Sequence, residues 1–206
     1  MKIIAVIPAR MASSRFPGKP LVPILGLPMI EHVRRRVALS KLFSDVVVAT
    51  CDKEIENVVI SSGGKAIMTS KKHERCTDRI AEAAEKLEAE IIVLVQGDEP
   101  LVSGKWLDKA IEELFHDKKA SCVNLYKWME YDEADFDQNE VKVVTDRDGY
   151  ALYFSRNALP AKWLGDKKFK CKIEICIMPM WARDIEFFVK SENCYYEEIE
   201  SVDMMR

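Results

Sequence analysis

Apolar runs and segments with helix-spaced apolar residues alternate through the first hundred residues. The apolar runs, each too short for a helix, cover residues 3–7, 45–50, 66–68 and 90–95. The helix-spaced segments between them cover residues 28–38, 52–64 and 80–87. Near-continuous apolar strands that alternate with helices are typical of parallel sheets with right-handed crossovers. We therefore predict an α/β, doubly wound, mostly parallel Rossmann-like sheet with helices on both faces.

The pattern changes after residue 120. The predicted elements are a helix at 106–115, a strand at 121–125, an irregular acidic stretch at 130–138, a hairpin at 140–145 and 150–154, and final helices at 184–189 and near 196. The apolar run 173–181 fits either a central strand or a subunit interface. We predict a single domain over residues 1–206 with a β-hairpin excursion around 127–181, and a homodimer.

Composition and charge narrow the class of protein. The chain has 206 residues, 48% of them apolar and 32% charged, which is ordinary for a soluble globular domain. With 31 Lys and Arg against 34 Asp and Glu, it lacks the basic field of a nucleic-acid binder. The six cysteines form no CxxC pair, and no apolar run reaches membrane-spanning length. We predict a cytoplasmic protein with a small-molecule substrate and no nucleic-acid or membrane partner.

The polar loop IPARMASSRFPGKPL, at 7–21, carries the first candidate chemistry. It follows a predicted strand and precedes a predicted helix, an arrangement that places N–H groups and cations beside phosphates. Its cations are Arg10, Arg15 and Lys19, and its hydroxyl groups belong to Ser13 and Ser14. Gly18 allows the backbone to bend. It is not a Walker A loop, because Pro20 follows Lys19. A polyphosphate site is favoured over a solvated basic connection, which stays the alternative.

A second candidate site follows the strand at 90–95, where the chain reads QGDEP at 96–100. A carboxylate at the carboxyl end of a buried parallel strand, facing a cationic loop, is suited to holding Mg²⁺ against substrate phosphates. Asp98 is therefore the candidate metal ligand, and the alternative is a turn built from Gly97, Asp98 and Pro100. Thr77 and Asp78 precede a predicted helix and suit either capping or ligand binding.

These stretches together resemble one family, the 3-deoxy-manno-octulosonate (Kdo) cytidylyltransferases, also called CMP-Kdo synthetases. The resemblance covers nearly the whole chain and is carried by the segments IPARMASSRFPGKPL (7–21), VVVAT (46–50), TDRIAE (77–82), VQGDEP (95–100), VKVVTDRDGYALYFSR (141–156) and EEIES (197–201). It implies a nucleotidyltransferase that transfers CMP from CTP to the anomeric hydroxyl of an acidic sugar. It further implies that pyrophosphate is released and that Mg²⁺ is the cofactor.

The resemblance also implies roles for individual residues. The implied catalytic residues are Arg10 and Lys19, which would neutralise the triphosphate, and Asp98, which would hold the metal. The implied nucleotide-binding residues are Ala9, Arg10, Ser13, Ser14, Lys19, Ser70, Asp78 and Gln96. The implied sugar-binding residues are Gln96, Arg156, Glu174 and Glu197. Arg156 suits an acidic sugar, because its guanidinium can bind a carboxylate through two hydrogen bonds.

The chain departs from the family pattern in three places. Cys76 stands where the family has Gly before TDR, and 174–178 replaces the family's HIGIY strand. Glu174 would repel a sugar carboxylate or suit an amino-bearing sugar. The family's last segment, with a second acidic metal ligand, is absent, so either Glu200 or Asp203 substitutes or activity is impaired. The alternatives are a cytidylyltransferase for another sugar acid, such as amino-Kdo or a nonulosonate, and a silent nucleotide-binding homologue.

Overall fold

A computed structural model describes residues 1–12, 16–163, 165 and 168–206. The described chain forms two compact units. Unit 1 comprises Met1–Val123 and Ile177–Val189, and unit 2 comprises Asn124–Cys176 and Lys190–Arg206. The single domain with an excursion at 127–181 stays a prediction.

The secondary structure follows the predicted order through the first hundred residues. The strands are β1 (Ile3–Ala9), β2 (Pro23–Ile24), β3 (Leu27–Pro28), β4 (Asp45–Thr50), β5 (Lys65–Met68), β6 (Ile91–Val95), β7 (Tyr126–Glu130), β8 (Lys142–Thr145), β9 (Ala151–Ser155), β10 (Lys170–Glu174) and β11 (Ile177–Trp181). The helices are α1 (Met29–Val37), α2 (Lys53–Ser61), α3 (Cys76–Glu85), α4 (Gly104–His116), α5 (Tyr131–Phe136), α6 (Ala182–Lys190) and α7 (Tyr195–Glu200), with 3-10 turns at Lys19–Leu21 and Asp203–Met205. None of these helices has the length and apolar character that a membrane crossing needs.

A mostly parallel sheet forms the core of unit 1. In its described residues the strand order is β11-β6-β1-β4-β5, with β11 antiparallel to β6 and the other neighbours parallel. All of β1 is buried, as the near-continuous apolar run predicts for a central strand. The chain steps from β1 to β4 to β5 and then returns to β6, so right-handed crossovers place α3 on the face opposite α1 and α2. The predicted doubly wound α/β sheet is confirmed.

The return to β6 creates a switch point between β1 and β6. At such a point the loops that follow two neighbouring strands leave in opposite directions and open a crevice at the carboxyl edge. The two loops approach closely here, since a Cβ atom on Gly97 would lie 2.6 Å from the carbonyl oxygen of Pro8. A glycine is therefore required at position 97, and the crevice lies beside it.

Unit 2 contains an antiparallel sheet with the strand order β7-β10-β8-β9. The predicted hairpin forms as β8 and β9, and Gly149 at the turn has a φ of +93°. Ala134, Cys171 and Ile173 form one buried cluster, and Val143, Phe154 and Val202 form another. Unit 2 therefore has hydrophobic packing of its own.

Three predicted boundaries are wrong. Residues 121–125 do not form a strand, because only Cys122 makes an isolated bridge, to Met180. The acidic stretch at 130–138 is not irregular throughout, since it contains α5. The run 173–181 is not one strand: it divides between β10 and β11 in different sheets. The break lies beside Cys176, whose φ of +51° ends the extended conformation.

Helix α3 begins earlier than predicted, at Cys76, with Arg75 at its N-cap position. Thr77 and Asp78 therefore lie inside the first turn, and the Arg75 side chain makes no capping hydrogen bond. Thr77 is 1% exposed, so packing of this turn accounts for the early start. Asp78 still lies near the positive end of the helix, where an acidic side chain is favourable.

Candidate functional site

Two hydrogen bonds hold the neck of the loop after β1, the point where Met11 and Gly18 pair. The Gly18 N–H donates to the Met11 carbonyl at 3.0 Å, and the Met11 N–H donates to Asp52 Oδ2 at 2.7 Å. Gly18 has a φ of +74°, a conformation that glycine adopts without steric cost. Arg10 immediately precedes this neck and Lys19 immediately follows it. Ser13, Ser14 and Arg15, which are part of the predicted phosphate site, lie outside the described residues.

Lys19 and Asp98 meet, although 79 positions separate them in the sequence. Lys19 Nζ lies 2.6 Å from Asp98 Oδ2, and the two side chains are 38% and 45% exposed. An ion pair this exposed contributes about 1 kcal/mol or less to stability, so it opens readily. The structure thus brings together the cationic loop after β1 and the acid after β6, as the sequence predicts.

A cleft of about 180 Å³ opens beside the end of β1. It is lined by Pro8, Ala9, Arg10, His73, Glu74, Arg75, Cys76, Arg79 and Gln96. Ala9, Arg10 and Gln96 are predicted site residues, and the structure brings them together here. Arg75 and Arg79, which together with Arg10 make the cleft cationic, are not among the predicted site residues. A cationic cleft at the carboxyl edge of a parallel sheet is suited to a phosphorylated ligand.

Arg79 holds one wall of this cleft in place. Its side chain is almost fully buried and donates to Thr69 Oγ1 at 2.5 Å and to the Ser70 and His73 carbonyls at 3.3 Å. Glu82 accepts from the Ser70 N–H at 2.7 Å, and this bond is the largest cause of the lowered pKa of Glu82. A second bond joins Glu82 to His73 Nε2 at 2.6 Å. The polar segment after β5 is therefore fixed by α3.

Ser70 and Asp78 are not among the described residues that line the cleft. The Ser70 hydroxyl accepts from the Lys72 N–H at 3.1 Å, and Asp78 is half-buried in the first turn of α3. Their nucleotide-binding roles stay predictions. Cys76 does line the cleft, and Gln96 Nε2 donates to its sulfur at 3.3 Å. The cysteine that replaces the family glycine thus contacts a predicted nucleotide residue.

In unit 2, Arg156 is bonded to backbone carbonyls. Its guanidinium donates to the carbonyls of Glu200 at 3.0 Å, Asn139 at 3.0 Å and Ser201 at 3.1 Å. The backbone N–H of Arg156 donates to Glu200 Oε2 at 2.7 Å, and Glu200 Oε1 accepts from Ser155 Oγ at 3.0 Å. These bonds give Arg156 and Glu200 a structural role in joining the end of β9 to the end of α7. The sugar-binding role of Arg156 stays a prediction.

Glu197 is 1% exposed and forms a bidentate ion pair with Arg206. The Arg206 Nε and Nη2 atoms donate to its two carboxylate oxygens at 2.8 and 2.5 Å. The pair satisfies both oxygens in the geometry that guanidinium and carboxylate groups prefer. The predicted sugar contact of Glu197 would have to form in place of this pair, and it stays a prediction.

Glu174 lies at the end of β10 and is largely shielded from solvent. Burial raises its pKa, and Asp203 adds to the shift, whereas a hydrogen bond from Asn124 and the charge of Arg156 oppose it. Asn124 Nδ2 donates to Glu174 Oε1 at 2.5 Å, while Asn124 Oδ1 is buried and has no hydrogen-bond partner among the described residues. The acid that replaces the family's histidine is therefore held in an environment that favours its neutral form.

We expect Glu174→Gln to stabilise the protein by about 1 kcal/mol at pH 7, because the glutamine amide can donate to the unpartnered Asn124 Oδ1. The folded protein binds the Glu174 proton more tightly than the unfolded chain. The contribution of Glu174 to wild-type stability should therefore be complete below the ordinary pKa of 4.5 and be lost as pH rises through the higher folded value. Urea unfolding between pH 4 and 8 tests this. A variant with the same pH slope as wild type, or lower stability at pH 7, would contradict it.

Comparison with known proteins identifies the family. A family model described as "Cytidylyltransferase" matches residues 4–206. The 3-deoxy-manno-octulosonate cytidylyltransferase of Geobacter sulfurreducens is 48% identical, over 100% of this chain and 86% of that protein. The enzyme of the same name from Geotalea uraniireducens is 43% identical, over 100% and 86%. Identities at this level over the whole chain establish common descent within one family.

Solved structures agree. A structure of CMP:2-keto-3-deoxy-manno-octonic acid synthetase complexed with CTP superposes with a TM-score of 0.92 at 35% identity, over 100% of this chain and 84% of that one. A cytidylyltransferase from Leptospira borgpetersenii has a TM-score of 0.64 at 19% identity, over 99% and 71%, which shows a shared fold. With the family match, these likenesses show that the chain belongs to the cytidylyltransferases and, within them, to the 3-deoxy-manno-octulosonate cytidylyltransferase family.

Proposed function

We propose that this protein transfers CMP from CTP to the anomeric hydroxyl of Kdo and releases pyrophosphate. The observation that carries the proposal is the Lys19–Asp98 contact, with Nζ and Oδ2 2.6 Å apart, in a chain of this family. It supports a site in which a cationic loop and an acid act on one triphosphate. We further propose that the enzyme acts in the cytoplasm as a homodimer and serves lipopolysaccharide synthesis.

Mg²⁺ fits the residues that are present. The described residues include no cluster of three or more side chains that could hold a metal alone. Mg²⁺ is commonly bound by one or two carboxylates together with substrate phosphates, so Asp98 with a triphosphate is a suitable set. We therefore assign the metal to Asp98. When bound, Mg²⁺ would neutralise charge on the triphosphate and on the leaving pyrophosphate.

The chain's own residues would then bind and orient the nucleotide. We assign Arg10 and Lys19 to the phosphate oxygens, with Ser13 and Ser14 of the same loop, and Ala9, Ser70, Asp78 and Gln96 to the rest of the nucleotide. Nucleotidyl transfer needs little covalent chemistry from the protein, because in-line positioning and charge neutralisation lower the barrier. Lys19 donates a hydrogen bond to Asp98, so it would exchange this partner for a phosphate when CTP binds. That exchange costs little, since the pair is exposed.

On the sugar side we assign Gln96, Arg156, Glu174 and Glu197. A second candidate substrate, an amino-bearing relative of Kdo, is favoured by Glu174, because an ammonium group would stabilise its carboxylate form. With Kdo itself, the raised pKa of Glu174 reduces repulsion, since a neutral carboxyl group does not repel the sugar carboxylate and can donate a hydrogen bond.

A pyrophosphate-release assay tests the proposal. Purified protein is incubated with CTP and Mg²⁺, with Kdo, amino-Kdo, a nonulosonate or no sugar, and CTP binding is measured separately by calorimetry. Pyrophosphate release that depends on Kdo supports the leading proposal, and faster release with amino-Kdo supports the second. CTP binding without release from any sugar indicates a silent homologue. No CTP binding would overturn both enzymatic proposals.

A further inference from the structure

Asp52 occupies the N-cap position of α2 but does not cap that helix. An aspartate at this position normally accepts a hydrogen bond from an N–H of its own first turn. Here no such bond forms, and Asp52 Oδ2 accepts from the Met11 N–H at 2.7 Å instead. The Asp52 N–H in turn donates to the hydroxyl of fully buried Thr50 at 3.1 Å. The carboxylate is thus directed away from its own helix and is held toward the loop after β1.

The bond from Asp52 acts on the narrowest point of that loop. Met11 is bonded on both sides of its backbone, through its N–H to Asp52 and through its carbonyl to the Gly18 N–H at 3.0 Å. Arg10 lies one residue before this point, and Lys19 lies one residue after Gly18. Arg10 and Lys19, the predicted phosphate-binding cations, therefore flank a neck that Asp52 binds to the segment following β4.

We propose that Asp52 is a positioning residue for the nucleotide's phosphates, acting through Met11 on Arg10 and Lys19. The proposal rests on the proposed function. A negative charge beside a site for a triphosphate opposes binding by like-charge repulsion, so electrostatics does not account for Asp52. The length of the Asp52 side chain and its acceptor oxygen explain its presence, because they allow it to bind the Met11 N–H and so to fix the neck of the loop. Preorganised cations lose less conformational freedom when the ligand binds.

Two substitutions separate positioning from helix stability. Asp52→Ser keeps a good N-cap residue for α2 but is too short to reach Met11, whereas Asp52→Asn keeps an acceptor oxygen at the original reach. Glu54→Ser, at an exposed position in the first turn of α2, is the control for the lost charge. We expect Asp52→Ser to raise KM for CTP about tenfold, with kcat within about twofold of wild type and no loss of thermal stability. Asp52→Asn and Glu54→Ser should stay within about twofold of wild type in KM.

The inference is overturned if Asp52→Ser has the wild-type KM, or if Asp52→Asn is as impaired as Asp52→Ser, because the charge would then be what matters. Amide hydrogen exchange keeps this test independent of turnover. We expect the Met11 amide to exchange at least about tenfold faster in Asp52→Ser than in wild type, without CTP, and to stay protected in Asp52→Asn. If wild type neither binds nor consumes CTP, the proposed function fails, and unchanged Met11 exchange in Asp52→Ser would overturn the positioning role by itself.

Discussion

Asp98→Asn is expected to lower kcat on the order of 10²–10³-fold, the largest expected effect on activity. Asparagine keeps the size and one acceptor oxygen of the carboxylate but loses its charge, so it no longer offers an anionic ligand to Mg²⁺. Lys19 loses its ionic partner as well. Because that ion pair is exposed, stability should change by about 1 kcal/mol or less. Steady-state kinetics over a range of Mg²⁺ concentrations, with thermal unfolding of both proteins, measure the two effects.

Glu99→Gln is the matched control, since it removes one carboxylate from the next residue of the same turn. We expect this variant to keep kcat within a fewfold of wild type, because we assign no substrate or metal contact to Glu99. Two results would contradict the role of Asp98. One is wild-type turnover in Asp98→Asn, and the other is an equal loss of turnover in both variants.

The meeting of Lys19 and Asp98 was predictable because it follows from topology. Short buried apolar runs between amphipathic helices indicate parallel strands, and right-handed crossovers place the loops after β1 and β6 at one edge of the sheet. At the switch point between these strands the two loops must approach each other. The prediction needed only strand order and the identities of two polar loops, and side-chain geometry did not enter it.

Other parts of the site depend on geometry that has no sequence signal. Asp52 precedes an amphipathic helix and therefore reads as an ordinary N-cap, whereas its bond to Met11 spans 41 positions. Arg79 reads as part of a capping segment, but α3 begins at Cys76 and directs Arg79 into the wall of the cleft. A local rule detects neither contact, because each depends on where another strand ends.

The wrong strand boundaries have a similar cause. Four of the five residues of β7 are exposed, so the strand has no buried face and differs from the half-buried strands that the alternation of apolar and polar residues predicts. Its aromatic residues Tyr126 and Trp128 contact each other edge to face, with ring centroids 5.6 Å apart, and so pack without burial. The apolar run 173–181 appeared continuous because Cys176, unlike glycine, does not mark a positive φ.

Arg206→Ala is expected to destabilise the protein by about 3 kcal/mol, the largest expected effect on stability. The substitution leaves the Glu197 carboxylate, which is 1% exposed, without the guanidinium that satisfies both of its oxygens. Breaking a buried ion pair by removing one partner is costly because the remaining charge is uncompensated. Denaturant unfolding measures the loss. Lys127→Ala is the control, since the Lys127–Glu140 pair is 46% and 33% exposed and should contribute about 1 kcal/mol or less.

Arg206→Ala and a second variant, Arg206→Lys, distinguish two roles for Glu197. If Glu197 serves chiefly to pair with Arg206, Arg206→Lys should recover part of the stability that Arg206→Ala loses, because lysine restores the charge without the bidentate geometry. KM for the sugar should then be unchanged in Arg206→Lys at temperatures where the protein is folded. If Glu197 also contacts the sugar, freeing it from Arg206 should alter KM for the sugar in Arg206→Ala at temperatures where the protein is folded, in addition to the loss of stability.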